Sequence, residues 1–202
     1  METTKTSRPV GRPRSETARR AILDAAFELA SRDVPGGLTM EAIARRAGVS
    51  KETLYRWWRS KAEVLLEALA ERGERQIPVP DSGNLEDDLR TFMRATARAL
   101  DPATRRVLRT LAAGAASDPE FADQVREQFI DRRRAALSAV LDQAVERGEL
   151  PGKQAATALD FVFGSLWYRL VFGVGRLDRA WADSVTDALA AHRPEPADPS
   201  SG

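Results

Sequence analysis

The sequence predicts an all-α protein. Alanine, leucine, arginine and glutamate dominate its 202 residues and β-branched residues are sparse, a composition that favours helices. Apolar residues recur at spacings of three and four along most of the chain. Asp101-Pro102 and Asp118-Pro119 each place a helix N-cap beside a proline suited to the first helical position.

In chain order, residues 1–14 carry Lys5, Arg8, Arg12 and Arg14 among prolines and Gly11, and read as a flexible basic arm. A first helix is expected from an N-cap at Ser15, with Ile22, Ala26 and Leu29 inward, ending at Pro35-Gly36-Gly37. Thr39 caps a second helix over Met40 to Ala47. Gly48-Val49 stops it, and Ser50 caps a third running from Lys51 to about Trp58. Ser60-Lys61-Ala62-Glu63 forms a capping box that opens a fourth, with Val64, Leu65 and Leu69 inward.

Residues 15–76 thus make one helical domain, and the proline- and glycine-bearing segment 77–84 is a linker. Residues 85–192 make a second domain. Its first helix carries Leu85, Leu89, Phe92 and Met93; a long one spans Pro119 to Arg147 and stops at Gly148. Two more cover Gln154 to Val174 and Asp178 to about Ala191. The proline-rich residues 193–202 read as a disordered tail.

Composition excludes several chemistries. With no cysteine there is no disulfide scaffold, thiolate metal site or thiol nucleophile. No glycine loop for phosphates, nucleophile–base pair or metal cluster is evident, so neither an enzyme nor a cofactor is expected. His192, the one histidine, reads as an exposed helix end. No secretory signal is visible, and the most apolar segment, Phe161 to Val174, is too short to span a bilayer. The cytoplasm is the expected compartment.

Charge is unevenly spread. Residues 1–61 hold 13 Lys/Arg against 7 Asp/Glu, whereas residues 62–202 hold 18 against 23. A basic head on an acidic body points to an anionic partner for the head alone.

Two short helices joined by a glycine turn describe a helix-turn-helix, with Ile43, Val49 and Leu54 closing its core. With Leu54 inward, Glu52 and Arg56 point away from the core, flanked by Thr53 and Tyr55. Lys51, Glu52, Thr53 and Arg56 are the candidates for base edges in a major groove; Ser50 at the cap joins the DNA-binding set. Tyr55, Thr39 and Lys61 lie where phosphates pass, and Arg12 and Arg14 are candidates for a minor groove. Trp58 falls close to the inward direction of Leu54, while Trp57 falls to the other side, at the rim, with its indole N–H available to a phosphate.

The stretch from Ala18 through Leu69 resembles the DNA-binding domain of TetR (tetracycline-repressor) family regulators. The resemblance rests on Ile22-Leu23-Asp24-Ala25-Ala26, Leu38-Thr39-Met40-Glu41-Ala42-Ile43-Ala44, Ala47-Gly48-Val49-Ser50-Lys51-Glu52-Thr53-Leu54-Tyr55 and Ser60-Lys61. It implies a homodimer that represses transcription from a palindromic operator in double-stranded DNA. It also implies a C-terminal domain that binds an apolar or amphipathic small-molecule effector, which releases the operator. A constitutive architectural or activating helix-turn-helix protein without an effector is the alternative.

Phe92, Leu111, Phe121, Phe129, Phe163 and Trp167 are candidates for an effector pocket. Gly164 and Ser165, with the four-residue stripe Trp181, Val185 and Leu189, are candidates for the dimer seam. Tyr168 and Arg169 are polar groups in an apolar helix that either meet a ligand or satisfy neighbours, and Asp131-Arg132-Arg133-Arg134 reads as a solvated face.

Overall fold

The structure is a computed structural model and describes residues 12–32 and 37–191. Among these residues every regular element is helical: α1 Arg12–Ser31, α2 Met40–Ala47, α3 Lys51–Tyr55, α4 Lys61–Gln76, α5 Leu85–Ala99, α6 Pro102–Ser117 and α7 Pro119–Val125. A π-helical turn, Arg126–Ile130, joins α7 to α8 Asp131–Glu146; α9 Gly152–Phe172 and α10 Arg179–Ala190 complete the chain. No described helix is long and apolar enough to cross a membrane.

The chain divides into two compact units, Met1–Ala68 and Leu69–Gly202. The division falls inside α4, upstream of the expected linker 77–84. That segment is free of helix but tied down: Ser82 N–H donates to the fully buried Asp88 at 2.8 Å, and Arg147 stands 3.6 Å from the same carboxylate.

In the first unit, Ile22, Leu23, Ala26, Met40, Ile43, Leu54, Trp58, Val64 and Ala68 form one buried cluster. Helix α1 begins at Arg12, three residues before the expected Ser15 cap, so Arg12 and Arg14 belong to its first turn rather than to an arm. A proline is tolerated there because first-turn N–H groups have no helical partner. The rest of the expected arm, the turn residues Pro35 and Gly36, His192 and the tail 193–202 lie outside the described residues.

The caps follow local chemistry. Thr39 Oγ1 accepts from Ala42 N–H at 3.1 Å and Ser50 Oγ from Thr53 N–H at 3.2 Å. Gly48, at φ 68°, donates to Arg45 O while Val49 N–H reaches Ala44 O at 3.1 Å, the paired bonds of a Schellman stop. Helix α3 ends at Tyr55, earlier than expected, although Trp58 N–H still reaches Leu54 O at 3.1 Å. The Ser60 box closes one residue further back than its pattern implies: Glu63 accepts from Arg59 N–H at 2.9 Å.

In the second unit, α5 presents Leu85, Leu89, Phe92 and Met93 inward, against a core that includes Leu137, Leu141, Val162, Leu166 and Leu170. Asp101, Asp118 and Asp178 cap α6, α7 and α10. Helix α10 is locked to α5 by ion pairs, Arg94–Asp183 at 2.7 Å and Arg90–Asp187 at 2.8 Å.

Candidate nucleic-acid interface and cavity

Leu54 anchors α3 at 0% exposure, which turns Lys51, Glu52, Tyr55 and Arg56 outward. Lys51 is held by Glu41 of α2 at 3.1 Å. The Glu41 and Glu52 carboxyls both sit below the ordinary carboxylate range, first because backbone N–H groups donate to them, so both stay ionised near neutrality. Thr53 is half-buried, and its hydroxyl lies 3.1 Å from Ser50 Oγ. Two expected base or DNA contacts, Ser50 and Thr53, are therefore partly committed to holding the helix start. Thr39 is half-buried and committed in the same way to α2, whereas Lys61 at the start of α4 is exposed.

The two tryptophans separate. Trp58 is 4% exposed and donates its indole N–H to Glu67, while Trp57 is half-buried and meets it edge-on, ring centroids 5.5 Å apart. The Arg56 guanidinium lies over the Trp57 ring at 5.6 Å. Among the described residues Arg56, Arg59 and Lys61 have no carboxylate partner, so their charge is open to an anion. Sequence reasoning passed over two exposed basic residues as DNA candidates, Arg45 in the last turn of α2 and Arg59 between α3 and α4.

The second unit holds an apolar cavity of about 70 Å³. The C-terminal half of α4 (Leu69, Arg72, Gly73, Gln76), α5, α6, the π turn with the start of α8, and α9 all line it. Of the pocket candidates read from the sequence, Phe92, Phe129, Phe163 and Trp167 are among its walls. Leu111 and Phe121 are not: Leu111 is buried elsewhere, and Phe121 packs over Gly114, where an added Cβ would stand 2.8 Å from its ring. Tyr168 and Arg169 do not reach the cavity; Tyr168 is exposed and Arg169 donates to Val174 O.

Arg133 does reach it, contrary to the solvated-face reading. Its neighbours Arg132 and Arg134 pair with Glu74 at 3.7 Å and Asp160 at 2.9 Å, but Arg133 is 7% exposed. Its guanidinium sits over Phe92 at 5.6 Å, and burial pushes it below the ordinary arginine value, opposed only by the charge of Glu74. No periodicity in three consecutive arginines could single out the middle one.

The expected dimer stripe is largely spent within the chain. Trp181 and Val185 are buried, Trp181 donates its indole N–H to Ser165 Oγ at 3.4 Å, and Leu189 borders a second cavity of about 300 Å³. Gly164 is exposed on α9, in line with Phe161, Tyr168, Val171 and Phe172, which are 46–73% exposed. These four went unnamed as a stripe; the signal was α9 being apolar on both faces, which one buried face does not explain.

Comparison with known proteins agrees with this geometry. Residues 22–68 match the family described as "Bacterial regulatory proteins, tetR family", and residues 79–189 match "Tetracyclin repressor-like, C-terminal domain". The chain is 33% identical over 162 residues to the uncharacterized HTH-type transcriptional regulator YdeS of Bacillus subtilis, covering 80% of this chain and 82% of that one. It is 33% identical over 180 residues to a DNA-binding transcriptional repressor TetR of Mycobacteroides abscessus, covering 86% and 92%. The crystal structure of the TetR family transcription regulator SCO0332 superposes with a TM-score of 0.74 at 30% identity, covering 86% and 97%. These relatives are transcriptional regulators, not enzymes. Helix-turn-helix, helical second unit and both family matches agree, and the chain belongs to the TetR family of DNA-binding transcriptional regulators.

Proposed function

We propose that this chain is a homodimeric repressor that holds a palindromic operator until a small effector enters the second unit. The observation that carries this reading is the division of labour along α4. Its first half supplies Val64 and Ala68 to the core of the DNA-binding head, and its second half supplies Leu69, Arg72, Gly73 and Gln76 to the cavity wall. A ligand that binds better to a shifted α4 therefore favours a different head position, and only that difference in affinity drives release.

In the head, Arg56 and Glu52 face bases, while Lys61, Tyr55 and Trp57 meet the backbone. The exposed α9 stripe of Phe161, Tyr168, Val171 and Phe172 supports a second copy as its cover. A dimer would place two α3 helices on half-sites related by its own two-fold axis.

Binding-site selection from random DNA with the full chain tests this. The expected product is an inverted repeat with half-site centres about 34 Å apart, or a multiple of that spacing. Recovery of single, unpaired half-sites at full affinity would reject the dimeric reading.

A further inference from the structure

We propose that Arg133 is an anion anchor and that the cavity takes a compact carboxylate with an apolar body. The inference rests on reading this cavity as the effector site, and it names the effector's class.

The argument starts from the cost of Arg133. An arginine loses its hydration when buried, and folded chains normally repay that loss with a carboxylate or a set of acceptors. Among the described residues the Arg133 guanidinium has no hydrogen bond and no ion pair; it stands over the face of Phe92 and against Gly73, and the charge of Glu74 reaches it only from beyond contact distance. The other cation of the cavity wall, Arg72, is paired with Asp101 at 3.2 Å. Two neighbouring arginines on α8 found carboxylates on the outside, so acidic partners were within reach of this helix.

Space has been kept for the group. A Cβ on Gly73 would stand 3.2 Å from Arg133 Cδ and 3.5 Å from Nη1, so glycine there lets the guanidinium lie against α4. The remaining walls are chiefly apolar: Phe129, Ile130, Val162, Phe163 and Leu166 among them. A planar cation with free N–H groups in such a wall matches a carboxylate bidentately, and the apolar walls match a small hydrocarbon or aromatic body. At about 70 Å³ the cavity admits a few carbon atoms as it stands, and one ring or a short chain fills it as the side chains of its walls yield.

The test uses the full-length protein with benzoate and hexanoate, each against its matched alcohol, by isothermal titration calorimetry. The carboxylates should bind at least about tenfold tighter than the alcohols, the scale of a hydrogen bond to a charged group. Arg133→Met should erase that preference without weakening the alcohols, and should leave the ligand-free protein equally or more resistant to heat. Should Arg133→Met fail to fold, the wild type alone decides. The carboxyl ¹³C resonance of bound benzoate should titrate below its free value. Equal binding of acid and alcohol, a preference that survives Arg133→Met, an unshifted titration, or no acid binding would each overturn the proposal. Acid binding that leaves operator DNA bound would instead reject the effector reading and leave the anion anchor standing.

Discussion

The Trp58 indole N–H donates to Glu67 Oε2 at 2.5 Å, and the other oxygen of that carboxylate accepts from Arg19 Nε at 3.0 Å. One side chain of α4 thereby ties the end of the helix-turn-helix to α1. Trp58→Ala should destabilise the head by about 3–5 kcal/mol, typical of truncating a buried aromatic. Trp58→Phe keeps most of the packing and should lose about 1–3 kcal/mol by orphaning a carboxylate oxygen. Chemical denaturation followed by circular dichroism measures both. Equal stability of wild type and Trp58→Phe would show the hydrogen bond to be inert.

Arg56 and Lys61 should give opposite patterns on DNA. Arg56→Ala should relax preference at one base pair by about 1–3 kcal/mol, whereas Lys61→Ala should weaken every sequence alike and lower the salt slope by about 1. Trp57→Ala removes the ring under Arg56, so it should share part of the Arg56→Ala phenotype. Fluorescence anisotropy against an operator and single-base variants, at several salt concentrations, separates these outcomes.

Gly48 stands at φ 68°, where an added Cβ meets no atom but strains the backbone. Gly48→Ala should therefore cost about 1 kcal/mol through conformation alone, with no clash to relieve. A larger loss in thermal unfolding would point to a contact that the geometry does not contain.

Phe172 is 73% exposed and lies against Tyr168, ring centroids 5.8 Å apart. Phe172→Asp should shift sedimentation toward the monomer and reduce operator affinity, while far-ultraviolet dichroism stays unchanged. A dimer that persists at micromolar concentration would move the seam elsewhere.

Acid should act partly through Asp183, whose carboxyl is held below its ordinary value by Arg94 first, with Arg179 and Arg90 adding to it. Its folded-state value is lowered, so its contribution is present above the unfolded value of about 3.9 and is lost as pH falls through the folded one. Asp183→Asn should thus lower the melting temperature at neutral pH, and the gap from wild type should close as pH drops below about 4. A gap constant down to pH 2 would mean that the ion pairs contribute nothing.

Local signals were the legible ones. Thr39, Ser50, Asp101, Asp118 and Asp178 cap helices where their short polar side chains and flanking residues suggest, because a cap depends on three or four neighbours in sequence. Trp58 could be assigned to a core from its angle to Leu54 together with the family resemblance, and it is buried. Tertiary decisions were not legible. Trp181 and Val185 carry a stripe equally suited to another subunit, and only the arrival of α5 settles that they are spent within the chain. Arg133 looks like Arg132 and Arg134 until the phase of α8 is known, and that phase is set by the π turn before it.

In that turn the Asp131 N–H donates to the Arg126 carbonyl, five residues back instead of four, so Arg126–Ile130 carries one residue more than a regular turn. Removing one residue here would restore ordinary register and leave the faces of α7 and α8 aligned as they are. Chain length at this point is thus nearly silent for the bundle but not for the cavity, because Phe129 and Ile130 stand on the widened turn. Deleting a single codon here should reshape the cavity wall while sparing the scaffold, a change of cavity shape that does not depend on repacking the rest of the bundle.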